Sequence, residues 1–162
     1  MADEQENQQP AAADTNTRGQ FEIQKIYVKN ISLESPSSPQ IFREQWRPSV
    51  HMDIANSADE LGDNLYEVTL SVTATVSHEE KTIYLVEVQQ AGIFLMADFP
   101  REIIGRMVAT VCPNIMFPFV REIVSDLVTR AGFPQLLLTP VNFDALYLQH
   151  QQKVAAEKEQ TH

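Results

Sequence analysis

From residue 66 to 76 the apolar residues Tyr66, Val68, Leu70, Val72, Ala74 and Val76 alternate with Glu67, Thr69, Ser71, Thr73 and Thr75. A period of two sustained this long predicts a strand with one buried and one polar face. A shorter alternation at Val50, Met52 and Ile54 predicts a second strand, and after a turn at His78 to Lys81 another runs from Thr82 to Val88. The stretch from Phe21 to Leu33 is less regular. Its apolar residues take odd positions at Phe21 and Ile23, even ones at Ile26 and Val28, and odd ones again at Ile31 and Leu33. A regular one-faced strand cannot change phase in this way, so a bulge or burial on both faces is required. Four antiparallel strands are expected.

The second half changes period. Pro100 can open a helix, and Pro113 can start another within its first turn. Between 114 and 130, Arg121, Glu122, Ser125, Asp126 and Thr129 form one narrow polar stripe, and apolar residues fill the rest of the surface. A helix on the surface of a monomer needs an apolar stripe of only about 100°. The excess predicts burial against the chain's own sheet on one side and a partner subunit on the other, with Val120 and Val124 as candidate interface positions. Gly132 suits the C-cap and Pro134 follows it, while Asn142 can cap a last helix with Asp144 in its first turn. Strands followed by helices read as an α+β fold, a four-stranded antiparallel sheet with helices packed on one face.

Residues 1–20 hold no large aliphatic or aromatic side chain after Met1 and are expected to form a disordered acidic arm. A single domain over 21–150 and a polar, flexible tail over 151–162 complete the expected organisation. Within the domain, Glu34 to Pro48 carries prolines at 36, 39 and 48, which predicts a long irregular connection. It also carries Ile41, Phe42 and Trp46, so it must cover something.

Charge and composition narrow the classes of function. Twelve basic residues against 22 acidic ones leave a net charge of −10, a field that repels phosphate backbones and anionic headgroups and attracts cationic polypeptide. Nucleic acid is therefore not an expected partner. The longest uninterrupted apolar run, Ile93 to Ala97, is far short of the about 20 residues a membrane crossing needs, and no secretion signal opens the chain. Direct membrane insertion is not expected, and the cytoplasm is the expected compartment. The one cysteine, Cys112, forbids an intrachain disulfide.

The residues offer little catalytic chemistry. Glycines at 19, 62, 92, 105 and 132 match no nucleotide-binding loop, and histidines at 51, 78, 150 and 162 have no metal-ligand spacing, so neither cofactor nor metal is expected. His51 and His78 read as solvated surface residues. Cys112 lies among Val111, Ile115 and Met116 as an inert packing residue, and Glu79 with Glu80 has no pocket that would separate two pKa values. What remains is apolar surface on Phe42, Trp46, Met52 and the run from Phe133 to Pro140. These residues either close the core or line a groove for extended polypeptide, and periodicity leaves both readings open.

Several stretches resemble the SecB family of protein-export chaperones. They are Gln24-Lys25-Ile26-Tyr27 with Ile31-Ser32-Leu33-Glu34, Tyr66-Glu67-Val68, Glu87 through Phe94, Cys112-Pro113-Asn114-Ile115, Phe133-Pro134-Gln135, and Pro140-Val141-Asn142-Phe143-Asp144-Ala145-Leu146. The resemblance implies a nucleotide-independent holdase, assembled as a dimer of dimers, that keeps secretory precursors unfolded and passes them to SecA. It implies a SecA-facing patch at Asn30, Glu34, Leu85 and Glu87, with Asn30 standing where the family usually has an acidic residue. It also implies a peptide site at Trp46, Val50, Met52 and Ile54, extended to Phe133, Leu136, Leu138 and Phe143. Methionine and aromatic side chains suit a site that accepts many sequences. Two other readings stay open: a SecB-like chaperone dedicated to another labile client such as an antitoxin, and a small acidic hydrolase using paired carboxylates.

Overall fold

The computed structural model describes residues 18–161. Four strands, β1 (Gln20–Glu34), β2 (Ser49–Gly62), β3 (Leu65–His78) and β4 (Lys81–Ala97), form one antiparallel sheet in the order β1-β4-β3-β2. Helices α1 (Arg101–Ala109), α2 (Val111–Arg130) and α3 (Phe143–Gln160) follow. The inward phase of β3, from Val68 to Val76, is completely buried together with Val86, Val88, Phe94 and Met96 of β4. Met116, Val120, Val124 and Val128, one turn apart along α2, close on that face.

The irregular phase of β1 resolves into two bulges. The register slips between Ile23 and Lys25 and again between Val28 and Asn30, the two places where the apolar phase changes. Each slip restores the lost parity. Phe21, Ile23, Ile26, Val28, Ile31 and Leu33 therefore pair with Met96, Phe94, Gly92, Gln90, Val88 and Val86, all on the helix side of the sheet.

Three elements run longer than the hydrophobic pattern predicts. β2 continues eight residues past Ile54 on small and polar residues, held at the sheet edge by pairing with β3 rather than by apolar burial. β4 continues to Ala97 through Gln90, Ala91 and Gly92, which are buried in succession, so alternation no longer marks its path. α3 continues to Gln160, so residues 151–160 prolong the helix instead of leaving it; Ala155, Ala156 and the Glu and Lys residues around them are good helix formers. The expected arm lies outside the described residues up to position 17, and Gln20 already opens β1.

The placement of Val120 and Val124 corrects the expected interface. Both are completely buried within the chain itself, on the α2 face that meets the sheet, so neither can meet a partner. The apolar residues that α2 leaves exposed are Val111 and Phe119, with Phe119 48% exposed. The segment from Arg101 to Arg130 is long and apolar enough to cross a membrane by length and composition alone. It is two helices meeting at Thr110, and the buried face of α2 belongs to the core.

Candidate functional site

Because β1 and β2 occupy opposite edges of the sheet, the connection between them must cross the ends of β4 and β3. It does so through a short 3-10 turn at Gln40–Arg43 that drives Ile41 into the core. Three polar contacts clasp it to the β3–β4 hairpin. Ser37 Oγ donates to the Thr82 carbonyl at 2.7 Å, Lys81 Nζ stands 3.6 Å from Glu44 Oε2, and the Arg47 N–H donates to His78 Nδ1 at 3.1 Å. His78, expected as a solvated turn residue, thus fixes the end of this connection.

The facing wall starts where α2 ends. Gly132 adopts φ of +91°, the left-handed conformation of a helix C-cap, and the Phe133 N–H returns to the Val128 carbonyl at 3.2 Å. This turn swings Phe133 inward, where its ring centroid lies 4.7 Å from Tyr84, 5.2 Å from Phe42 and 6.2 Å from Trp46. Between the walls is a cavity of about 830 Å³ lined by Ile41, Phe42, Trp46, Val50, Tyr84, Phe133 and Leu136, with Glu44, Arg47 and His78 also at its border. An apolar groove with charged side chains at its edge can take up extended, uncharged polypeptide and leave charged side chains outside.

Of the residues expected at a peptide site, Trp46, Val50, Phe133 and Leu136 are brought together here. Met52 and Ile54 lie farther along the same face of β2, half-buried against the core and outside the cavity lining. Leu138 and Phe143 are corrections: they are 4% and 3% exposed, and Phe143 packs edge-on against Phe117 at 6.0 Å. Core closure, the plainer of the two readings, describes that pair. Ile41 and Tyr84 were missed as lining residues. Tyr84 could have been found from its phase, since it shares the inward side of β4 with Val86 and Val88.

The opposite face of the sheet carries the second candidate surface. Glu34 pairs with Leu85, Ser32 with Glu87 and Asn30 with Gln89, so Asn30, Glu34, Leu85 and Glu87 share one face across the β1–β4 ladder. Beside them the Tyr27 hydroxyl donates to the Glu67 carboxylate, which also accepts from Lys29 Nζ at 2.9 Å. These hydrogen bonds, first from Tyr27 and then from Lys29, hold the Glu67 carboxyl below its usual range. Burial, reinforced by Glu67, pushes the Tyr27 phenol up to about 12. Burial likewise pushes the Cys112 thiol up to about 12, so it stays a packing group. Among the described residues no three His, Cys, Asp or Glu side chains gather as a metal site would need.

Residues 14–154 match the family model described as preprotein translocase subunit SecB. The chain belongs to the SecB family. Relatives described as protein-export protein SecB include those of Methylococcus capsulatus, 51% identical over 91% of each chain, and Nitrosococcus oceani, 48% identical over 94% of this chain and 93% of its own. That of Marinobacter nauticus is 45% identical over 97% of this chain and 99% of its own. A SecB-like chaperone of Mycobacterium tuberculosis, solved in complex with a peptide from an antitoxin, matches with a TM-score of 0.59 at 18% identity, over 75% of this chain and 91% of its own. At that identity the likeness is one of fold, and the four-stranded SecB sheet with its helices is what the two share. SecB proteins are chaperones rather than enzymes.

Proposed function

We propose that this SecB chain is a holdase: in the cytoplasm it binds unfolded preproteins without nucleotide, keeps them competent for translocation, and delivers them to SecA. The observation that carries this reading is the groove between the crossover connection and the Gly132–Leu136 wall, where Phe42, Trp46 and Tyr84 gather around Phe133. At about 830 Å³ it has room for a few side chains and not for a folded domain. One such groove binds weakly, so a useful affinity needs several on one particle. A homotetramer built as a dimer of dimers would supply them. Exposed Ile23, Val28 and Ile31 on edge strand β1 and exposed Val111 and Phe119 on α2 are apolar surface that such an assembly would cover. The patch of Asn30, Glu34, Leu85 and Glu87 is the proposed SecA contact, an apolar anchor with an acidic rim.

Export clients are favoured over a dedicated antitoxin because relatives at 45–51% identity bear the export description, whereas the antitoxin-bound neighbour is 18% identical. The test is suppression of aggregation of a reduced, unfolded protein, followed by light scattering in nucleotide-free buffer. Wild type should suppress it, and the double variant Phe42→Ser with Trp46→Ser should lose most of that activity while keeping its far-ultraviolet spectrum. Full activity in the double variant would move the client site elsewhere.

A further inference from the structure

Ile41, Tyr84 and Phe133 are the buried residues among those lining the groove, and Tyr84 alone brings a polar side-chain atom to that floor. Its ring is fixed. It sits on the inward phase of β4 opposite Val76, packs at a tilt against Phe133 with centroids 4.7 Å apart, and is only 3% exposed. A buried tyrosine hydroxyl ordinarily finds a partner. Among the described residues this one has none, and it is not sealed away either, since Gln90 Oε1 is the one described side-chain atom both fully buried and unpartnered. The Tyr84 hydroxyl therefore keeps some access from outside, on a residue that lines the groove.

An unfolded client of any sequence brings one polar feature with it, the main-chain amide. A carbonyl carried into an apolar groove loses its water, which is costly unless a donor replaces it. Glu44, Gln45, Arg47 and Gln135 are exposed and compete with solvent, so their hydrogen bonds are worth little. We propose that the Tyr84 hydroxyl donates a hydrogen bond to a main-chain carbonyl of the bound client. It is an anchor indifferent to sequence, in a groove whose walls select for apolar side chains. Burial pushes the phenol up to about 12, so it remains a neutral donor at any working pH. The proposal rests on the groove being the client site.

The test uses the full-length protein and two unrelated fluorescent peptides of about ten residues, both apolar and without side-chain acceptors. Tyr84→Phe keeps the ring and its contact with Phe133 and removes only the hydroxyl. Affinity for both peptides should fall about fivefold, the effect of one hydrogen bond. A scan replacing each peptide amide with an ester, whose carbonyl is a weaker acceptor, should reveal one sensitive position with wild type and none with Tyr84→Phe. Equal affinity of wild type and Tyr84→Phe for both peptides would overturn the proposal, as would a loss confined to one peptide. Trp46→Ser is the control for the underlying reading: if it weakens binding while Tyr84→Phe does not, the groove stands and only the anchor falls. If neither variant weakens binding, the groove itself is misassigned.

Discussion

A Cβ at position 132 would meet the Phe42 ring at 3.3 Å, on a backbone already at φ of +91°. Gly132→Ala therefore meets strain from both the left-handed conformation and the contact, and should lower stability by about 1–2 kcal/mol. Thermal unfolding followed by circular dichroism would measure it. Glu67 gives a prediction in pH. Its carboxyl is held below the ordinary value of 4.5, so its pairing stabilises the fold above that value and is lost as pH falls through the lower folded one. The stability difference between wild type and Glu67→Gln should be full at pH 7 and close only in acid; urea titrations at both ends of that range would test it. The Tyr27 phenol, raised to about 12, works the other way, contributing below its unfolded value of 10 and losing that contribution as pH climbs through 12. Single residues were legible where chemistry acts locally, as when Asn142 accepts from the Ala145 N–H at 3.0 Å. They were opaque where distant segments meet. Nothing near Tyr84 in the chain announces Phe133, and nothing near Leu138 announces that it is sealed into the core.

Elements were legible in proportion to how one-sided their burial is. β3 has one wet and one dry face, and its pattern gave its position almost completely; β4, buried on both sides over Gln90 to Gly92, lost its signal halfway. In β1 the phase changes carried more information than a regular strand would have, because they marked the bulges themselves. α2 illustrates the limit. Its excess of apolar residues was evident, but which of them face the sheet depends on the roll of the helix, which packing decides. The consequence can be tested within one helix. Val124→Asp places an unpaired charge in the protomer core and should unfold it, a loss of about 3–5 kcal/mol. Phe119→Asp, on the exposed side, should leave the far-ultraviolet spectrum intact. Chemical unfolding curves of the two variants would separate the faces.

The whole molecule presents two separate surfaces, a groove at the end of the helix-covered face and an acidic surface on the bare face of the same sheet. If client and SecA bind as proposed, their contacts lie on opposite faces of the sheet and do not compete. Glu34→Lys with Glu87→Lys should reduce SecA affinity and flatten its dependence on salt while leaving client holding unchanged. Titrations at two ionic strengths, alongside the aggregation assay, would resolve the two effects. Phe119→Asp completes the set: light scattering should find particles smaller than wild type, and an unchanged mass would place the assembly surface elsewhere on the chain. The groove also has a spectroscopic consequence. Trp46 is the chain's single tryptophan, and it stands edge-on to Phe133 in the lining of the groove. Excited at the red edge, where the four tyrosines do not absorb, the emission of the whole particle is therefore that of Trp46 alone. A client without tryptophan that displaces water from the indole should move that emission to shorter wavelength and shield it from acrylamide, so occupancy can be followed by ultraviolet light with no attached dye.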